Sequence, residues 1–130
     1  DRYFKKQGFK GIAVKATEEE MHKDEKAQFT NWTTPAEANK ILAAYYINKD
    51  GKLLSKPSYD FLWNTMKNAV SGPRKLRGQL PKETVVAHKT GLSGTNAAGI
   101  TTASNDIGII FLPNGKYFYI SVFVSDSKEE

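Results

Sequence analysis

The chain has 130 residues, 39% of them hydrophobic and 25% charged, with a formal net charge of +5, which is one ordinary globular domain with a core. It has no Cys, which excludes disulfides, thiolate metal sites and Cys nucleophiles, and its two His, His22 and His88, are too few for a His-built metal centre. No apolar run approaches the roughly 20 residues that span a bilayer, and the basic excess fits nucleic acid, an anionic small substrate, or solubility alone.

Arg2 to Gln7 reads as the end of a basic helix, with Gly8 as its stop. A short apolar piece follows, from Phe9 to Val14. Residues 16–33 are polar and show neither the helix nor the strand period, so they read as a long loop, of the kind that usually carries function. Thr34-Pro35-Ala36-Glu37 is a helix start, with Thr34 as cap, Pro35 in the first turn and Glu37 closing a capping box. Ala38, Ile41, Leu42, Tyr45 and Tyr46 continue at helical spacing to a stop near Asn48 and a turn at Asp50-Gly51. A second helix starts at Ser55 to Pro57, buries Tyr59, Leu62, Trp63, Met66 and Val70, and ends at Gly72-Pro73. The remainder reads as strands at Thr84–Lys89, about Asp106–Leu112 and Tyr117–Val124, the last two joined by an Asn114-Gly115 turn. Phe118, Ile120, Val122 and Val124 share one face of the last strand. Helices first and antiparallel strands afterwards predict an α+β fold rather than alternating α/β.

The densest local chemistry lies in His88-Lys89-Thr90-Gly91-Leu92-Ser93-Gly94-Thr95-Asn96. An ammonium, a hydroxyl and backbone N–H groups freed by glycines converge there, which suits an anion. By itself, Lys-Thr-Gly also describes a surface strand running into a turn. Taken with its surroundings, the segment resembles the third motif of the serine β-lactamases and penicillin-binding proteins. Val-Val-Ala-His-Lys-Thr-Gly, Ser-Asn-Asp-Ile-Gly-Ile-Ile, Leu-Pro-Asn-Gly and Val-Phe-Val-Ser-Asp-Ser, between Thr84 and Asp126, look like the C-terminal strands of a class A β-lactamase. Gly72-Pro73 and Leu80-Pro81 fit the approach to them. Thr17-Glu18-Glu19-Glu20-Met21-His22 sits where that family has its Ω-loop Glu, and His22 and Asn31-Trp32-Thr33 fit the cephalosporinase branch that includes the PER type. The resemblance covers essentially the whole chain.

The resemblance implies roles, residue by residue. Glu18 would be the general base that activates the deacylating water, and His22 would help to hold that water. Read without it, Glu18 is one of a run of acidic loop residues and His22 a loop surface residue. Lys89 and Thr90 would bind the substrate carboxylate, Gly91 would allow close approach, and the Leu92 N–H would form half of an oxyanion hole. The Leu92 side chain departs from the small or hydroxylated residues usual there. Ser93 and Thr95 flank the site or simply serve the turn. Lys75 stands nearest the place where relatives carry an assisting Arg, and is otherwise part of a solvated basic turn. His88 reads as a packed neighbour of Lys89. Ala16 stands where much of the family has an Arg, so the usual salt bridge pinning the loop cannot form and the loop is held in another way.

The nucleophilic Ser-x-x-Lys and the Ser-Asp-Asn motif belong upstream of the Glu loop in family order, and neither is there. Ser125 to Lys128, Ser104 to Asp106 and Tyr46 to Asn48 carry similar letters at the wrong places. The chain opens at Asp1 without Met or signal peptide, and it closes directly after a strand-like run. The expectation is therefore residues 1–130 as the C-terminal part of a single β-lactamase/transpeptidase-like domain, cut at both ends. It would hold an Ω-type loop, two or three helices and three antiparallel strands, and would be inactive alone. The whole enzyme would hydrolyse β-lactams, cephalosporins above all, through a serine acyl-enzyme and give antibiotic resistance. It would be a periplasmic monomer with no metal or organic cofactor and no nucleic-acid or membrane partner. The rival readings are a penicillin-binding transpeptidase and a small basic binding domain without enzymatic activity.

Overall fold

The computed structural model describes residues 1–128. Among these residues the helices are α1 (Arg2–Lys6), α2 (Glu18–Lys23), α3 (Pro35–Ile47) and α4 (Lys56–Lys67). The strands are β1 (Ile12–Ala13), β2 (Trp32–Thr33), β3 (Val86–Leu92), β4 (Thr101–Phe111) and β5 (Tyr117–Ser127). The three long strands form an antiparallel sheet in the order β3-β4-β5, and β1 pairs with β2 in a separate ribbon. This is the expected α+β arrangement, with an unexpected helix, α2, inside the long loop.

The start of α3 differs in detail from the sequence reading. Thr34 Oγ1 accepts the Glu37 N–H at 3.1 Å, as a cap should. Glu37 does not return the bond. The Thr34 N–H goes to Gly11 O at 3.2 Å, and the buried Glu37 carboxylate accepts the Lys10 N–H at 3.0 Å and the Lys40 ammonium at 3.2 Å. Burial pushes the Glu37 carboxyl up. The bonds from Lys40 and from the Gly11 and Lys10 N–H groups outweigh it and hold the group below the usual carboxylate range. A long-range tie to residues 10 and 11 has replaced the local box. At the other end Asn48 takes the left-handed conformation, φ 41°. Its side chain accepts the Leu53 and Leu54 N–H groups at 3.1 and 3.0 Å, which turns the chain toward α4.

Helix α4 ends at Lys67, short of Gly72-Pro73, and Val70 is 90% exposed rather than buried. The Arg77 guanidinium supplies the physical reason. It donates to Lys67 O and to Val86 O, both at 3.1 Å, and so staples the end of α4 to the beginning of β3. Leu42, Trp63 and Met66 pack against Ala87 and Ile109 of the sheet. Tyr46 lies edge-on to Trp63, Phe111 and Tyr117, with ring centroids 5.2, 5.8 and 5.0 Å apart.

All three strands differ in extent from the sequence reading. Strand β3 runs on to Leu92, β4 begins at Thr101, and β5 continues to Ser127. The polar stretch Thr101–Asn105 pairs with residues 123–127 through backbone bonds, which hydrophobic patterning does not register. Phe118, Val122 and Val124 share a face as predicted, but it is the face turned away from α3 and α4, and they stay 42–44% exposed. Gly108 faces His88 across the β3–β4 pairing. A Cβ there would lie 2.5 Å from Ala87 O and 2.9 Å from His88 Cβ. Gly108→Ala should therefore destabilise the fold by about 1–3 kcal/mol, read as a lower denaturation midpoint at unchanged slope in urea.

Candidate active site

The long loop is closed at its neck and internally folded. Ile12 pairs with Thr33 and Ala13 with Trp32, which brings the two ends of the loop together. One side chain then ties the neck. Asn31 Oδ1 accepts the N–H groups of Lys15 at 2.7 Å and Ala16 at 2.9 Å. Asn31 Nδ2 donates to Ala16 O at 2.9 Å and approaches Met21 Sδ at 3.5 Å. The loop is thus pinned at Ala16 through its backbone, and an amide that both donates and accepts stands where a salt bridge cannot form.

Thr17 caps α2. Its Oγ1 accepts the Glu20 N–H at 3.3 Å, and the Glu20 carboxylate accepts the Thr17 N–H at 2.7 Å and the Thr17 hydroxyl at 3.0 Å. This is a complete capping box. The bonds from the Thr17 N–H and hydroxyl hold the Glu20 carboxyl below its ordinary value. Glu19 takes the Lys23 ammonium at 2.6 Å. Glu18 has no side-chain partner among the described residues, and it lines a cavity of about 730 Å³. Three adjacent carboxylates are thereby distinguished: one caps, one pairs with a cation, and one is free. His22 lies one turn after Glu18 and lines the same cavity. Its Nδ1 is 2.7 Å from Glu18 O. A carbonyl only accepts, so Nδ1 carries the proton, and in the neutral ring Nε2 is left as an acceptor.

The opposite wall comes from the end of β3 and the turn after it, with Leu92, Ser93, Gly94, Thr95 and Asn96. Among the described residues β3 is an edge strand. Phe111 N–H bonds Val85 O, and Ser93 N–H bonds Ala103 O at 2.9 Å. Alternation along the strand therefore turns the N–H groups of His88, Thr90 and Leu92 away from β4, toward the open edge. Leu92 offers an unpaired N–H beside the cavity, and its side chain is 52% exposed. Ser93 is used otherwise. Its hydroxyl accepts from Thr102 Oγ1 and from the Ala103 N–H, both at 2.9 Å, and donates to Gly94 O at 3.1 Å. It closes the turn and has no capacity left for a ligand.

Lys89 is exposed, and its ammonium bends to Thr90 O on the open edge. Thr90 Oγ1 donates to Ser71 Oγ at 3.0 Å. Gly72, at φ +60°, lies so close that a Cβ would meet Thr90 Cγ2 at 2.7 Å, and this close approach requires glycine. Lys75 packs beneath the same glycine and points its ammonium at Asn105 O, 3.4 Å away, where Asn105 is the partner of Gly91 in the pairing. The predicted residues thus fall into two adjoining groups. Glu18, His22, Leu92 and Ser93 surround the cavity, while Lys89, Thr90, Gly91 and Lys75 stand beside it along and behind the strand.

Ser71, Lys26 and Phe29 join the site without a sequence signal. Ser71 carries no motif. Lys26 and the 64% exposed Phe29 line the cavity only because the loop folds into a 3-10 turn over Glu25–Thr30. Ser125 and Asp126 lie in strand β5, so the Ser-x-x-Lys letters there are not on a helix. Among the described residues no group of three or more His, Asp or Glu converges closely enough to hold a metal ion. Among the described residues no helix is long and apolar enough to cross a membrane.

Residues 1–130 match the family described as "Beta-lactamase enzyme family". Beta-lactamase VEB-1 of Pseudomonas aeruginosa is 55% identical over 93% of this chain and 40% of its own length. Extended-spectrum beta-lactamase PER-1 of the same organism is 45% identical over 98% of this chain and 40% of its own. The crystal structure of TLA-1 extended spectrum beta-lactamase superposes with a TM-score of 0.91 at 56% identity, covering 99% of this chain and 46% of that one. A class A beta-lactamase from Bacteroides cellulosilyticus gives 0.89 at 40% identity, covering 99% and 45%. The chain belongs to the beta-lactamase family. It spans less than half the length of these relatives. PBP-A, with a TM-score of 0.76 at 22% identity, shares the fold.

The neck yields a direct expectation. Asn31→Ala should abolish the protection of the Lys15 and Ala16 amides in hydrogen exchange and leave the β3–β5 sheet protected. The local loss is about 1–3 kcal/mol, that of a partly buried polar tie.

Proposed function

We propose that this chain supplies the deacylation machinery and the carboxylate-binding strand of a class A serine β-lactamase, cut from a single domain. The observation that carries the reading is the free Glu18 carboxylate, which lines the same cavity as Leu92 with its outward N–H. In the whole enzyme a serine from the remaining length common to the relatives attacks the β-lactam carbonyl. The oxygen that gains charge is held by the Leu92 N–H together with the N–H of that serine. The amide bond opens and leaves an ester on the serine. Glu18 then takes a proton from a water, and the water attacks the ester carbonyl and releases the ring-opened acid. The free Nε2 of His22 accepts a hydrogen bond from the same water.

Lys89 and Thr90 hold the substrate carboxylate, with Lys75 adding positive charge from behind the strand. Gly91 lets the substrate lie close to the backbone. Leu92 presents an apolar side chain where a hydroxyl would otherwise reach the substrate, so selectivity among cephalosporins rests on shape more than on hydrogen bonding. The product is an inactivated antibiotic, the physiological outcome is resistance, and the setting is the periplasm. A penicillin-binding protein would acylate without a base placed for the second step, and the free Glu18 favours hydrolysis over that reading.

Stopped-flow turnover of a chromogenic cephalosporin by the whole enzyme tests the proposal. Glu18→Gln should leave the acylation burst within about twofold and slow the steady state by about 10²–10⁴, the usual worth of a general base. Equal slowing by Glu19→Gln or Glu20→Gln would remove Glu18 from the role. The 130-residue chain by itself should leave the same cephalosporin intact, because it carries no Ser-x-x-Lys on a helix.

A further inference from the structure

Beneath the Lys89-Thr90-Gly91 strand lies a buried polar pair that none of these roles uses. His88 and Asp106 are 1% and 3% exposed. His88 Nδ1 lies 3.1 and 3.0 Å from the two Asp106 carboxylate oxygens. Gly108 makes the room for the imidazole, since a Cβ there would meet His88 Cβ at 2.9 Å. Burying a carboxylate carries a large desolvation cost, and an apolar pair of similar volume would fill the space without it. The carboxylate has a second commitment that an apolar pair could not make. Asp106 Oδ2 accepts the Leu76 N–H at 3.2 Å, from a segment outside the sheet.

That segment carries Lys75. Its N–H closes a turn onto Gly72 O at 2.9 Å. Its side chain runs beneath Gly72, which is pressed against Thr90. Its ammonium ends at Asn105 O. In the strand pairing Asn105 stands opposite Gly91, and Asp106 opposite Thr90. The Leu76–Asp106 bond therefore sets how the turn lies against the back of the Thr90–Gly91 segment. We propose that His88 and Asp106 are a positioning pair for binding the anionic group of the substrate. The imidazole orients the Asp106 carboxylate, the carboxylate holds Leu76, and Leu76 fixes the Lys75 ammonium beside Thr90 and Gly91. The inference rests on reading Lys89 and Thr90 as the carboxylate subsite.

The test uses the whole enzyme and one cephalosporin, offered as its free ring carboxylate and as the neutral methyl ester. Asp106→Ala should raise KM for the carboxylate about tenfold, change kcat by less than about twofold, and leave KM for the ester unmoved. Asp106→Asn keeps an amide oxygen for the Leu76 N–H and should recover most of the loss. In a Lys75→Met background Asp106→Ala should add nothing further, because the two act in series. Should Asp106→Ala not fold, His88→Gln is read in the same way. Equal losses on acid and ester, or independent multiplying effects of Asp106 and Lys75, would overturn the positioning role while leaving the carboxylate subsite intact. A whole enzyme that hydrolyses neither compound would overturn the subsite and the positioning role together.

Discussion

The site depends on one side-chain amide. Asn31 meets three backbone groups at the neck of the loop, two N–H donors and one carbonyl acceptor. A carboxylate could accept the first two but would be set against the Ala16 carbonyl. A cation could satisfy the carbonyl alone. The amide, with an acceptor oxygen and a donor nitrogen on one planar group, answers all three in one place. Since the groups at Lys15 and Ala16 immediately precede the Thr17 cap, fixing them fixes where α2 begins. The capping box then fixes its direction, and Glu18 and His22 follow on its first and second turns.

What makes Glu18 chemically distinct is the occupation of its neighbours. Identical side chains in sequence are sorted by the bonds they have already made: Glu20 to the helix start, Glu19 to Lys23. A similar logic of unused capacity applies on the facing wall. Strand β3 lies at an edge among the described residues, and its alternate N–H groups are not consumed by β4. Leu92 contributes a backbone donor that no side chain needs to provide, and the Leu side chain there is compatible with that use. Ser93, by contrast, has its hydroxyl fully engaged in closing the turn.

Much of this was legible in the sequence because periodicity and caps are local signals. The segregation of helices and strands, Thr34 as a cap, the Asn48 stop and the Lys-Thr-Gly strand are of that kind. Elsewhere a distant contact outweighs a local preference. Glu37 left its capping box for residues 10 and 11, and Arg77 took the end of α4 and left Val70 outside the core. The complete capping box, Thr17 with Glu20, lies in a stretch without hydrophobic period, where patterning gives no helix signal. The absence of a salt-bridging residue at Ala16 was visible in the sequence, but the replacement was not. Asn31 is fifteen residues away, and its role exists only once β1 and β2 pair. Lys75 and the His88–Asp106 pair likewise become related only through the register of β3 on β4.

With Glu18 and His22 in the roles proposed above, the Asn31 amide positions the groups of the deacylation step and not those of acylation. Separate measurement of acylation and deacylation rates for Asn31→Asp in the whole enzyme examines this most directly. This substitution keeps the acceptor and loses the donor to Ala16 O. Deacylation should slow about tenfold or more, consistent with roughly 1–3 kcal/mol for an unsatisfied polar group, with acylation within about twofold of the parent. Equal slowing of both steps, or no change in deacylation, would contradict this positioning role.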